Sequence, residues 1–428
     1  MNSPGTDPTL LARTVAGLEA WLAGVAVQGG GLGGPTIGLR GASLMFCGEG
    51  FDWRVEAMLD ARGALFAATG EERHLDGISA DLERLAGAQL LNGKFRNSWF
   101  DANPFEGGMP HEPAVLAAGF RALRVLEKGA RKPPSSFLPA AERYLFGHML
   151  KWLWNHATHT FKDWEISDFE RYSIASAAAG VELMIEWIRR CGDFPDSEYH
   201  IRSAARSILA LQDPLGAMEG AVHPSNRGPG GVSPFLAARC LPALRLAADH
   251  LREQEFRAAA DRLAGWLFRQ ALPGGGFPRL VYEHRSPGFR PMLTGTVAGL
   301  LHDTRRAGFG STAQFAPHIS WLVARRTPTG ALRNGEGFGR IWRTPSRPDW
   351  RDVLPIHAWQ AMALAFLAPG AVKGTVAEIA PVERMPVTVG LRRARYSEDT
   401  ARIAVELEGG RPVYLWRKGA DWAECCEP

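Results

Sequence analysis

The chain has 428 residues, 46% of them apolar and 22% charged, with a formal charge of +4 and no basic run; this is the composition of an ordinary globular protein and argues against a dedicated nucleic-acid binder. No run of 18 apolar residues occurs and the N-terminus lacks a basic segment followed by an apolar core, so neither a transmembrane helix nor a signal peptide is expected, and a cytoplasmic protein is. Five Cys with no CxxC pair support neither a disulfide framework nor a zinc site; no ligand spacing stands out among 12 His, and no metal or cofactor is expected.

Along the chain, a helix end followed by a polar residue and a turn recurs. It appears as "VAVQGGGLGG" at Gln28, "GAQLLNGKF" at Gln89, "KWLWNHATHTF" at Asn155, "LALQDPLGAM" at Gln212, "LFRQALPGGGF" at Gln270 and "LVARRTPTGAL" at Arg326. Successive spacings are 61, 66, 57, 58 and 56 residues. Gly93, Gly216, Gly274 and Gly330 each stand four residues beyond the polar residue, where a helix C-cap or a tight turn needs positive φ. In phase with this motif, four helices carry Pro near their first position, at Pro113, Pro234, Pro291 and Pro355. Arg54 and Arg171 fall where the same register places the two remaining helix starts.

Each unit reads as a helix, a turn, a loop of about 16 to 29 residues and a second helix rich in Ala and Gly. No single hairpin buries its apolar face alone, so residues 10–374 are expected to form one mainly α domain, an (α/α)6 toroid of two concentric helix rings. Residues 375–428 alternate with β-branched side chains and predict a small appendage of two or three antiparallel strands.

Hairpins closed by Q-x-x-x-G turns resemble two toroid superfamilies. One is the terpenoid cyclases and prenyltransferases. The other is the six-hairpin glycosidases with the toroid polysaccharide lyases, several of which carry a β domain after the toroid. The resemblance spans about 85% of the chain and is architectural. It implies a ligand site at the mouth of the central cavity, built from the loops that enter the inner helices.

Those loops hold the candidate site residues. "NPFEGGMPHEPAV" offers His111 and Glu112 at an inner-helix start, His111 as a cap, a substrate contact or a proton carrier. In "FKDWEISDFERYSIAS", Ser167 and Glu170 match a capping box and Asp168 suits a first helical turn. That leaves Asp163 and Glu165 beside Trp164, a pair suited to acid–base work on a glycoside. "AVHPSNRGPGGVSP" adds Arg227, with Ser233 as a plain N-cap. In "RLVYEHRSPGFRPM", Tyr282 and His284 are similar to the pair of toroid lyases, with Arg285 and Arg290 as carboxylate partners. The last loop supplies Trp342, Arg343 and Trp350, and His357 lies at the start of the sixth inner helix. Together the last two loops carry eight Arg against four acids, which favours an anionic ligand.

The leading expectation is a carbohydrate-active enzyme, a glycoside hydrolase or polysaccharide lyase, acting on an acidic oligosaccharide. Two alternatives stand beside it. One is a class II terpenoid cyclase-like enzyme, for which "DFER" at 168–171 keeps only one Asp of a D-x-D-D motif. The other is a non-catalytic toroid that binds a small molecule in glycan or natural-product biosynthesis.

Overall fold

The computed structural model describes residues 7–24, 32, 34–38, 43–47, 50–95, 108–163, 172–213, 215–216, 218–223, 231–282, 291–327, 330–337 and 357–378, together with the backbone of five C-terminal strands. Six helical hairpins follow one another. Helix α1 (Pro8–Gly24) leads to α2 (Trp53–Thr69), with a hairpin of β1 (Gly34–Gly38) and β2 (Ser43–Cys47) between them. Helix α3 (Arg73–Gly87) leads to α4 (His111–Lys128). Helix α5 (Phe137–Tyr144) continues as a π-helix through Leu153 and leads, past β3 (Trp154–Asn155) and β4 (Thr160–Phe161), to α6 (Ile174–Cys191). Helix α7 (Ser197–Leu209) leads to α8 (Pro234–Ala238) and its continuation α9 (Cys240–Leu251). Helix α10 (Gln254–Arg269) leads to α11 (Thr294–Arg306), and α12 (Thr312–Val323) to α13 (His357–Leu367). Short strands β5 (Met292–Leu293) and β6 (Gly335–Glu336) pair antiparallel across the last two loops.

The second helix of each hairpin faces inward. Packing runs α2 to α4, α4 to α6, α6 to α9, α8 and α9 to α11, α11 to α13, and α13 back to α2, so the inner ring closes. Its helices are Ala- and Gly-rich because both faces are covered: every residue of α6 from Ile174 to Trp187 is buried. A Cβ on Gly180 would stand 2.3 Å from the Phe161 ring, so glycine is what lets the β4 aromatic seat against α6. Outer helices are one-sided instead. In α3 the buried His74, Leu75, Ile78, Leu82 and Leu85 recur at helical spacing along one stripe.

The repeated polar residue is a clip between hairpins. Gln89 donates to the carbonyl of Gly93 in its own turn and to that of Ala140 in α5, both at 2.8 Å. Gln212 does the same with Gly220 at 3.3 Å and Ala259 of α10 at 2.9 Å. Among the described residues Gln270 donates only to Trp266 in its own helix, and that turn is clipped from the other side: the Gly276 N–H donates 2.9 Å to Nδ1 of His318 on α12. The glycines serve the same contact. At φ +91, Gly93 packs on the Arg143 carbonyl; at φ +90, Gly330 meets Gly17 of α1, where a Cβ would stand 2.6 Å from the Gly17 oxygen.

Several local expectations are corrected. Gly216 and Gly274 do not take positive φ; the turns use Gly220 (φ +85) and Gly275 (φ +88), because the fourth turn is longer and the fifth holds three consecutive glycines. Of the described members of the set only Pro234 occupies N1, behind the N-cap Ser233, and Pro355 lies outside the described residues. Pro113 lies two residues inside α4, and Pro291 precedes α11 by three residues. Helix α6 begins at Ile174 behind the N-cap Ser173, not near Ser167, whose proposed capping box lies outside the described residues. A capping box does form in α12, between Ser311 and Gln314. The C-terminal appendage has five strands rather than two or three: β7 (Met385–Val389), β8 (Arg392–Glu398), β9 (Arg402–Leu407), β10 (Val413–Lys418) and β11 (Asp421–Cys425), in a simple antiparallel meander. "MPVTVGLRRARY" is two strands, turned after Val389. The hairpin of β1 and β2 was not anticipated from "GPTIG" and "SLMFC".

Candidate active site

The long loops enter the ring where the inner helices begin, and the first residues of those helices form the described floor of the mouth. Asp52 caps α2 by accepting from the Arg54 N–H at 2.8 Å. Its carboxylate also grips the Arg54 guanidinium, whose Nη1 reaches the Leu32 carbonyl at 2.9 Å. Burial alone would raise the Asp52 carboxyl, but the charge and hydrogen bonds of Arg54 hold it below the usual range.

Trp53, half-buried between them, is the centre of an aromatic group. Its ring lies 4.7 Å from His111 of α4 and 5.3 Å edge-on from Phe235 of α8, and the Arg239 guanidinium sits 5.6 Å from it. Burial drives the His111 imidazole down to about 4, with Asp52 opposing and Arg239 and Arg54 reinforcing the shift. His111 is therefore uncharged at neutral pH, and its Nδ1 has no hydrogen-bond partner among the described residues. Its neighbour Glu112 is fully buried and accepts from the Phe95 N–H at 2.7 Å, a structural role.

Deeper in the ring an ionic network crosses the interior. Arg239 donates to both Glu56 oxygens at 2.8 Å and to Asp303 at 3.1 and 3.3 Å. Arg306 joins Asp303 at 3.1 Å, Glu56 at 3.6 Å and Glu182. Arg121 joins Asp60 and, at 3.5 Å, Glu182. Burial disfavours each charge here, yet the facing partners hold Asp60 well below the usual carboxylate range and the guanidinium groups of Arg239 and Arg306 above theirs. Trp53, Arg239 and this network were missed in the sequence. A signal existed: Asp60, Arg121 and Glu182 stand 61 residues apart, and Arg239 and Asp303 stand 64 apart, at the repeat period.

Of the expected site residues, Asp163, His111 and Tyr282 are described. The Met109 N–H donates to the Asp163 carbonyl at 3.1 Å, which ties Asp163 to the segment leading into His111. The Asp163 carboxylate accepts from the Ser176 hydroxyl at 2.5 Å, so the first turn of α6 fixes its orientation. Tyr282 belongs to another stretch of the mouth, beside Gly231 and the start of α8, where Val232 and Val281 exchange backbone hydrogen bonds of 2.8 Å. Trp164, Glu165, Arg227, His284, Arg285, Arg290, Trp342, Arg343 and Trp350 lie outside the described residues. His357 is the first residue of α13, and its side chain is likewise outside them. Among the described residues no group of three or more His, Cys, Asp or Glu could hold a metal ion, and no helix is long and apolar enough to cross a membrane.

No protein-family model matches this chain, and no curated protein matches it either. Solved structures do. A possible member of the GH105 family from Klebsiella pneumoniae subsp. pneumoniae superposes with a TM-score of 0.58 at 12% identity, over 86% of this chain and 94% of that one. An inactive variant of the GH76A α-1,6-mannanase of Salegentibacter sp., in complex with α-1,6-mannotriose, gives 0.55 at 12% identity, over 84% and 99%. An unsaturated glucuronyl hydrolase specific for heparin gives 0.55 at 9% identity, over 85% and 95%. At such identities the likeness is one of fold alone. The chain has the six-hairpin (α/α)6 toroid fold of these structures.

Proposed function

We propose that this protein is a carbohydrate-active enzyme, a glycoside hydrolase or a polysaccharide lyase, acting on a saccharide at the mouth of the toroid. The observation that carries the reading is the juxtaposition of Asp163, oriented by Ser176, with the segment that presents His111 against Trp53. A positioned carboxylate and a half-buried indole on one stretch of the mouth suit glycoside chemistry, one to move a proton or attack, the other to hold a sugar face. Glu165, two residues on, is the natural second carboxylate. The hydrolase is favoured over the lyase because Asp163 and His111 share one stretch of the mouth, while Tyr282 of the lyase pair sits at another. Among the structural neighbours, one that holds a mannotriose and one named as a hydrolase specific for heparin support this class, while another is a D-mannose isomerase. The Arg-rich loops would supply the contacts to an acidic saccharide.

The test is turnover on a panel of neutral and uronate-containing oligosaccharides, scored both for reducing ends and for the ultraviolet absorbance of an unsaturated product. Asp163→Asn and Glu165→Gln are expected to abolish hydrolysis with an unchanged circular dichroism spectrum, and His284→Gln to abolish any elimination. No turnover by the wild-type protein, or full activity in all three variants, removes the reading.

A further inference from the structure

The ionic pairing at the floor of the mouth says what kind of ring reaches it. Among the described residues two guanidinium groups stand there, and both are engaged: Arg54 on Asp52 and the Leu32 carbonyl, Arg239 on Glu56 and Asp303. Four carboxylates, those of Asp52, Glu56, Asp303 and Asp163, stand on or just behind the same floor. Arg306, the next cation inward, is itself shared among Glu56, Asp303 and Glu182. Among the described residues, a sugar carboxylate brought to this floor would lose its water and meet more carboxylates than guanidinium groups, and those guanidinium groups already hold partners. An uncharged ring loses far less on leaving water, and its C–H face suits the indole. Trp53, His111 and Asp163 are the named floor residues that stay partly accessible, so they are the ones a ring would touch. The His111 imidazole, uncharged at neutral pH, adds no positive charge that a sugar carboxylate could meet.

We infer that the innermost subsite of this mouth accepts an uncharged sugar ring packed against Trp53 and His111, and that any acidic group of the saccharide is held farther out. The inference rests on the carbohydrate reading above and narrows it.

Calorimetric titration with neutral trisaccharides (α-1,6-mannotriose, maltotriose, xylotriose, chitotriose) and acidic ones (trigalacturonate, trimannuronate, a heparin tetrasaccharide) tests it, using the full chain. At least one neutral sugar, or an acidic oligosaccharide with a neutral residue at one end, is expected to bind. Trp53→Ala is expected to weaken that binding at least about tenfold, with Trp53→Phe restoring most of it, as a lost stacking face predicts. Binding confined to ligands charged at both ends, with the same dependence on Trp53, overturns the inference and leaves the carbohydrate reading standing. Binding of no saccharide overturns both. Trp53→Phe guards against a fold defect, since it keeps an aromatic ring between His111 and Phe235.

Discussion

Asp60 of α2 and Arg121 of α4 stand 61 residues apart in the chain and are joined by two hydrogen bonds, of 3.0 and 2.8 Å. One repeat separates them, and the sign then alternates around the inner ring: Asp60, Arg121, Glu182, Arg239, Asp303. Each charge meets an opposite one on a neighbouring or facing helix. Removing one member should therefore cost far more than its own contacts suggest. Arg239→Ala leaves Glu56 and Asp303 buried without their main partner, and a loss of about 3–5 kcal/mol in urea unfolding is expected. A loss below 1 kcal/mol would mean the network contributes nothing to holding the hairpins together.

The clips predict a graded series. Gln89→Ala and Gln212→Ala each remove two hydrogen bonds to the backbone, one of them to the next outer helix, and should cost about 1–3 kcal/mol. Gln270→Ala, which reaches only its own helix, should cost under about 0.5 kcal/mol. Equal losses at all three positions in chemical denaturation would contradict the distinction.

Two glycines that look alike in the sequence should behave differently. Gly330 has φ +90 and lies against Gly17, so Gly330→Ala strains the backbone and pushes α1 away, at a cost of about 2 kcal/mol or more. Gly274 has an ordinary φ and open space around its Cα, so Gly274→Ala should be neutral or slightly stabilising through the unfolded chain. Melting temperatures of the two variants decide it.

His318 makes stability depend on pH. It is buried and stacked on Phe277, and burial lowers its imidazole from the ordinary 6.5 to about 4. The folded state therefore binds fewer protons than the unfolded one between these values, so stability is full above pH 6.5 and falls as pH drops toward 4. The size is about 3 kcal/mol for one such group. His111 shifts in the same direction, so the informative quantity is the difference between wild type and His318→Asn. That difference should shrink as pH falls from 6.5 to 4; a constant difference would show that His318 does not titrate on unfolding.

The ring was legible in the sequence because six hairpins repeat their turn chemistry. The polar residue and a nearby glycine mark four of the joints, even where the structure moves the glycine by a few positions, as at Gly220. The role of the glutamine was not legible, since its second acceptor lies about 50 residues away on the next hairpin. The site divided in the same manner. Asp163 and His111 could be singled out because each stands in a loop before an inner helix, where polar residues need a reason. Trp53 opens α2 and Arg239 joins α8 to α9, where the pattern reads them as parts of apolar helices, and only their contacts with residues far along the chain set them at the mouth. The alternating charges were visible as letters, yet an acid in one helix and an arginine in the next mean little until the helices are known to be neighbours.

The contact of Gly17 with Gly330 is the seam where the first hairpin meets the last. An open-ended solenoid grows or shrinks by whole repeats and needs polar end caps. A closed ring has no ends to cap, and its circumference is set by the number of units that bring the seam together. This protein should therefore tolerate no deletion or duplication of a hairpin, however similar the hairpins are, whereas relocating the break in the chain to one of the short connections between an inner and the following outer helix leaves the circle whole.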